Sequence, residues 1–161
     1  MSNFNFLPEA FKSIAESAVR AEGCIISDPR AACFHARFTL EALVHWLYRH
    51  DSDLRMPYDR HLGALLHEPT FQNILPDKVF QKARVIQKVG NQAVHNPRLV
   101  HQYDALQTVR ELHHVCYWVT RVTEPHGRMI AFPNHCAPAK SCRVKNWKPC
   151  KKSWKSSIKP P

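Results

Sequence analysis

Residues 90–95, with the sequence GNQAVH, contain the side chains whose types and spacing are best suited to chemistry. Asn91 and His95 are four positions apart, so on a helix both side chains project from one face and can act on the same ligand. The alternative is that the amide and the imidazole hydrogen-bond to carbonyl groups at the helix end and in the following loop, because those carbonyl groups have no partner within the helix. Spacing alone leaves both interpretations open.

Positively charged side chains lie near this segment and complete the candidate site. Arg84 and Lys88 precede it, and Arg98 follows the Asn-Pro pair at residues 96–97. Cationic side chains neutralise phosphate groups, so they suit contact with a nucleic acid. We therefore predict a nucleic-acid or partner site formed by Asn91, His95, Arg84, Lys88 and Arg98.

Several classes of enzyme are excluded by sequence patterns that are missing. The chain has four glycines, too few and too widely spaced for the phosphate-binding loop of nucleotide motors or for a dinucleotide-binding turn. It has neither the order of residues in a Ser-His-Asp triad nor a G-x-S-x-G motif. We predict no catalytic residue, no cofactor and no metal, since the spacing of His135, Cys136, Cys142 and Cys150 matches no standard zinc site.

Apolar residues recur at helical spacing as far as residue 123, and no alternating strand pattern is found. Asp28 followed by Pro29 is a typical helix start, because Asp caps free amide groups and proline loses no hydrogen bond at the first helical position. The fold class predicted is an all-α bundle of four main helices. The main helices are expected at residues 8–23, 29–50, 77–96 and 101–123, with short ones at 58–67 and 70–75.

Each main helix has one apolar stripe, which is the predicted core. In the third one, either Val89 or Gly90 completes the stripe. Cys24, Cys33 and Cys116 are predicted to be small buried residues, since their spacing is not that of a secreted disulfide framework. The other core positions predicted are Phe11, Ile14, Ala15, Ala18 and Val19; Ala36, Leu40, Leu43, Val44 and Leu47; Val79, Ala83, Ile86 and Ala93; and Ala105, Val109, Leu112 and Val119.

The formal net charge of +10 belongs almost entirely to the end of the chain, because residues 126–161 hold nine Lys and Arg and no Asp or Glu. This composition predicts a domain at residues 1–124 and a disordered basic tail at 125–161. Lysines interleaved with tryptophans suit single-stranded nucleic acid, and the alternative is a solvated tail that binds polyanions non-specifically. The tail residues predicted to contact polyanions are Lys145, Trp147, Lys148, Lys151, Lys152, Trp154 and Lys155.

The location of the protein is predicted from two absences in the sequence. The opening MSNFNFLP has neither the basic nor the apolar region of a secretory signal, and no run of about 20 apolar residues occurs. We expect a cytoplasmic protein that makes no contact with a membrane.

Six segments occur in an order that resembles a known family: NFLP at residues 5–8, SDPRAACF at 27–34, WLYRHD at 46–51, LHEP at 66–69, GNQAVH at 90–95 and VREL at 109–112. Four helices with Asn-x-x-x-His at the end of the third long one resemble the HEPN superfamily. The closer resemblance of the two is to the HEPN-like domain of unknown function at the N-terminus of bacterial type I restriction endonuclease R subunits. The resemblance covers about residues 1–123.

The resemblance implies an accessory domain, because one catalytic feature is missing. Ribonuclease members of the superfamily have an Arg directly before the Asn, where this chain has Gly90, and Lys88 is expected on a different helical face from His95. The nuclease motif and the ATP-dependent translocase that follow this domain in R subunits are also missing from the sequence. The chain would then be a fragment of a type I site-specific DNA endonuclease, with other domains or subunits of a restriction-modification complex, and DNA or RNA, as partners.

The alternative is that the chain is an enzyme by itself. It would be a small HEPN ribonuclease or a toxin that uses His95, with a substitute cation from the second subunit of a homodimer.

Overall fold

The computed structural model describes residues 2–96 and 99–123, so the predicted tail and Arg98 lie outside the described residues. The described residues form helices without a β-strand, which confirms the all-α prediction. A short 3-10 helix at Glu9–Phe11 precedes six α-helices. These are α1 (Lys12–Gly23), α2 (Pro29–His50), α3 (Leu62–His67), α4 (Pro69–Ile74), α5 (Asp77–His95) and α6 (Gln102–Val122).

Local capping interactions set the starts of the helices. The Asp28 carboxylate accepts a hydrogen bond from the backbone N–H of Ala31 at 3.0 Å, as expected for an Asp before a proline. The short helix predicted at residues 58–67 begins later, at Leu62, because the His61 ring accepts from the N–H of Ala64 and acts as the N-cap.

The four long helices enclose the core. Helix α2 is central: it contacts α1, α5 and α6, and α6 also contacts α1 and α5. All positions of α2 and α6 that were predicted to face inward are buried. Of the two residues that could complete the apolar stripe of α5, Gly90 is buried and Val89 is only half-buried.

Two predicted core residues of α1 are not fully buried. Val19 is exposed, because it lies one residue, or about 100°, beyond the buried Ala18. Ala15 is half-buried for the same reason, since it lies one residue beyond Ile14. The inward face of α1 is narrower than predicted and consists of Ile14, Ala18 and Ala21.

The three cysteines in the described residues are free thiols. Cys33 and Cys116 are buried, as predicted. Cys24 is only half-buried, since it follows the last residue of α1, where helical periodicity no longer fixes the direction of a side chain.

The residues before the first helix also belong to the fold, which helical periodicity does not predict. Ser2 Oγ and the backbone N–H of Asn3 donate hydrogen bonds to Glu22 Oε2, at 2.5 and 3.1 Å. Phe4 is buried in the core, and its ring packs edge-on against His113 with 5.6 Å between the ring centroids. Glu22 thus holds the start of the chain against α1 and α6.

A group of polar side chains joins α5 to α6. Lys82 Nζ donates to Glu111 Oε2 and lies 3.2 Å from His114 Nδ1, and Gln107 Nε2 donates to Glu111 Oε1 at 2.7 Å. Burial by itself raises the pKa of the Glu111 carboxyl, but hydrogen bonds from His114 and Lys82 and their positive charges outweigh it and lower the pKa to about 2. The carboxylate form is therefore strongly favoured in the folded protein.

We expect Glu111 to contribute to stability in a pH-dependent way. Its folded pKa lies below its ordinary value of 4.5, so the contribution is present above pH 4.5 and is lost as the pH falls towards 2. Urea unfolding at pH 7 and pH 3 should show an acid-induced loss that is about 2 kcal/mol larger in the wild type than in Glu111→Gln. Glu16→Gln, on the exposed side of α1, is the control, and an equal loss in wild type and Glu111→Gln would contradict the expectation.

Candidate functional site

Helix α5 places the predicted site residues that the structure describes on one side. Arg84, Lys88 and His95 are exposed and Asn91 is half-buried, and the four follow one another at steps of four, three and four residues. Lys88 and His95 are seven residues apart on a continuous helix, so they differ by only about 20° around its axis. The expectation that they occupy different faces was wrong, and the structure brings both into one polar stripe, the α5 stripe: Arg84, Lys88, Asn91 and His95.

The carbonyl groups at the end of α5 find partners other than the site residues. Arg30, at the start of α2, donates from Nη1 to the carbonyl oxygens of Ala93 at 2.5 Å and of Asn96 at 2.8 Å. Within the described part of the chain, neither the Asn91 nor the His95 side chain makes a hydrogen bond. Both polar groups thus remain available to a ligand, and Arg30 fixes the helix end that carries them.

Gly90 is covered by a cation from another helix. A Cβ atom placed on Gly90 would lie 2.4 Å from Cβ and 2.9 Å from Cδ of Arg37, so the Arg37 side chain crosses the α5 backbone there. Arg37 Nη1 lies 3.4 Å from Glu41 Oε2, and among the described residues its buried Nε has no hydrogen-bond partner. The sequence indicated only that position 90 has no side chain, and it held no sign that α2 supplies a guanidinium at that point.

The surroundings of the α5 stripe are open. A shallow hollow of about 130 Å³ lies against α5, lined by Val89, Gln92, Asn96, Leu99 and Val100, and it includes none of the predicted site residues. Val89 is two positions, or about 200°, from Asn91, so the hollow lies on another side of the helix. The α5 stripe itself is a surface and suits an extended partner better than a small enclosed ligand.

Metal-binding clusters and membrane-spanning helices are missing from the part of the chain that the structure describes. Residues 2–96 and 99–123 contain no group of three His, Cys, Asp or Glu side chains placed to hold a metal ion. In the same ranges, no helix has the length and apolar character needed to span a bilayer. His135, Cys136, Cys142 and Cys150 lie outside them.

The contact between Gly90 and Arg37 predicts a cost for any side chain at position 90. In Gly90→Ala the new methyl group would displace the Arg37 stem or separate α2 from α5, and this should outweigh the better helix propensity of Ala and lower the unfolding free energy by about 1–2 kcal/mol. Gly23→Ala is the matched control, because nothing lies within 4 Å of a Cβ there. If urea denaturation gives both variants the wild-type stability, the close approach of the helices is not constraining.

Comparison with known proteins gives a family but no characterised relative. The sequence matches the family model DUF4145, described as a domain of unknown function, over residues 19–131. No curated protein and no solved structure matches the chain. The matched residues include α2 to α6 and the whole α5 stripe. Since this match spans most of the chain, the chain belongs to the DUF4145 family.

Proposed function

We propose that the chain is a non-catalytic accessory domain that contacts a nucleic-acid backbone through the α5 stripe. Its setting is a restriction-modification complex, in which it resembles the HEPN-like N-terminal module of a type I R subunit without the nuclease and the translocase. Support for the HEPN resemblance comes from the order of the helices, with residues 90–95 at the end of the third long helix. The basic tail at 125–161 is proposed to add non-specific affinity for polyanions.

The observation that carries this proposal is the pair of exposed cations on successive turns of α5. Its only acidic residue is Asp77 in the first turn, whereas Arg84 and Lys88 are exposed on successive turns and continue into Asn91 and His95. Such a row offers cations and neutral hydrogen-bonding groups over about 16 Å of helix. Contacts of this kind go to phosphate and sugar groups, so they position a nucleic acid without reading its sequence.

The environment of His95 supports an accessory role more than catalysis. The imidazole is exposed on the helix surface, and no other described residue hydrogen-bonds to it and holds its tautomer or orientation. Electrostatic catalysis depends on donors that are fixed in a site from which water is excluded. The Arg37 guanidinium is engaged with Glu41 and packed on Gly90, so it is constrained by α2 and α5.

Removal of the cations on α5 should weaken binding to nucleic acid by a salt-dependent amount. In the full chain, Arg84→Ala with Lys88→Ala should lower the slope of log affinity against log salt by about 2 for duplex DNA, since each phosphate contact contributes about 0.9. Fluorescence anisotropy at several salt concentrations measures this slope. Lys12→Ala with Arg20→Ala removes the same charge from the exposed side of α1, and an equal slope in the two double variants would contradict the proposal.

A variant with an altered tail separates the contribution of the tail to nucleic-acid binding from that of the α5 stripe. The same anisotropy series is repeated in a chain in which seven residues are replaced by Ala: Lys145, Trp147, Lys148, Lys151, Lys152, Trp154 and Lys155. We expect the effect of the α5 variant to persist there. Loss of all binding in this background, with no further effect of the α5 substitutions, would assign binding to the tail.

The ribonuclease alternative predicts a different result. We expect that neither the full-length wild type nor His95→Ala cleaves single-stranded or structured RNA in a gel assay with labelled substrates. His50→Ala, which alters an exposed histidine on α2, controls for loss of an imidazole. Cleavage by the wild type and by His50→Ala, but not by His95→Ala, would replace the accessory function by a HEPN-type ribonuclease activity.

A further inference from the structure

The central helix of the fold exposes an aromatic pair. Helix α2 is covered by α1, α5 and α6 on its other sides, yet Phe34 is 42% exposed and Phe38 is 50% exposed. Their rings stack with 6.4 Å between centroids. Ala42, half-buried, continues the row one turn further on. We call Phe34, Phe38 and Ala42 the α2 outer stripe.

Few charged residues lie on the solvent side of this helix, where the half-buried His45 and the exposed Arg49 continue the row of Phe38 towards the end of α2. Between residues 31 and 48, Arg37 and Glu41 are the only Lys, Arg, Asp or Glu, and they form an ion pair with each other at 3.4 Å. A helix that is apolar on its outer side as well as its inner side is usually covered by another element. The outer stripe is therefore a surface that a partner would cover at little desolvation cost.

We propose that a second copy of this chain covers the α2 outer stripe, with the two α2 helices antiparallel and a twofold axis passing at Phe38. This inference does not depend on the proposed function above, because it concerns another helix and another side of the molecule. It rests on the complementarity of the stripe with itself in shape and in charge.

The spacing of the stripe makes it self-complementary in shape. Phe34 and Ala42 are each four residues, or about 6 Å, from Phe38. The twofold axis therefore brings Phe34 of one copy level with Ala42 of the other, a large side chain opposite a small one, while the two Phe38 rings meet at the centre. An isologous contact of this kind pairs one patch with itself.

The charges beside the stripe are also complementary. Arg37 and Glu41 lie on the edge that faces α5, since Arg37 crosses Gly90. The twofold axis keeps both residues on that edge and brings each Glu41 within about 3 Å, measured along the helix axis, of the level of Arg37 in the second copy. Across the axis this gives two attractive Arg–Glu pairs at that axial offset, against one Arg–Arg pair at about 3 Å and one Glu–Glu pair at about 9 Å.

The area of the α2 outer stripe limits the affinity that we expect for the dimer. A single helix face covers less than the roughly 800 Å² per partner of a typical stable complex. We therefore expect a dissociation constant in the micromolar range for the dimer. Analytical ultracentrifugation of the full chain over a dilution series measures this constant.

Two substitutions at the twofold axis test the arrangement. Phe38→Glu and Phe38→Lys each place like charges against each other, so each variant alone should dissociate at least about tenfold more readily. An equimolar mixture should recover the dimer as a heterodimer, because the carboxylate introduced in one variant would face the ammonium group introduced in the other. Val85→Glu is the control: Val85 is 43% exposed on α5 and lies about 140° from Gly90, away from α2.

Each result supports or overturns the proposal. Dimerisation of the wild type, dissociation of both single variants and recovery in the mixture support it, with far-UV circular dichroism showing that the helices remain. A monomeric wild type at all concentrations would overturn it and would mean that a different partner, or the tail of the same chain, covers the stripe. A mixture that stays monomeric, or a Phe38→Glu variant that dimerises like the wild type, would equally overturn it.

Discussion

The contact between the Arg37 side chain and the backbone of Gly90 determines how closely α2 and α5 approach. Without a Cβ at position 90, the aliphatic part of Arg37 lies directly on α5, and its charged end reaches Glu41 at the surface. Two turns earlier on α2, Arg30 binds the carbonyl groups at the end of α5. Arg37 thereby sets the distance between α2 and α5, and Arg30 fixes the C-terminal end of α5.

This pairing of α2 with α5 fixes the surfaces on either side of it. On α5 it leaves the row of Arg84, Lys88, Asn91 and His95 turned outward. On α2 it directs Arg37 and Glu41 towards α5 and leaves Phe34 and Phe38 on the free side. A polar surface and an apolar surface thus lie on neighbouring helices of one small domain.

The polar contacts of the remaining core are of a different kind. Glu22 and Glu111 are carboxylates that accept hydrogen bonds from several donors each, and they join different segments of the chain. Burial lowers the pKa of the His113 imidazole, which favours its neutral form between Phe4 and Phe6. These groups specify how the helices and the start of the chain are arranged, while the apolar residues supply most of the driving force for folding.

The sequence by itself determined the long helices and the inward faces of α2 and α6, because capping and periodicity act over a few residues. Asp28 and Pro29 mark the start of α2, and its six predicted core positions are all buried. It also indicated Arg84, Lys88, Asn91 and His95 as site residues, but the expectation that Lys88 and His95 occupy different faces was wrong, since on the continuous helix α5 the two lie about 20° apart. Only the tertiary structure decided that Arg37 covers Gly90, that Arg30 caps Ala93 from 63 residues away, and that Glu22 holds Asn3. Such contacts depend on how whole helices pack, and no local pattern in a single sequence encodes which side chains will meet across that packing.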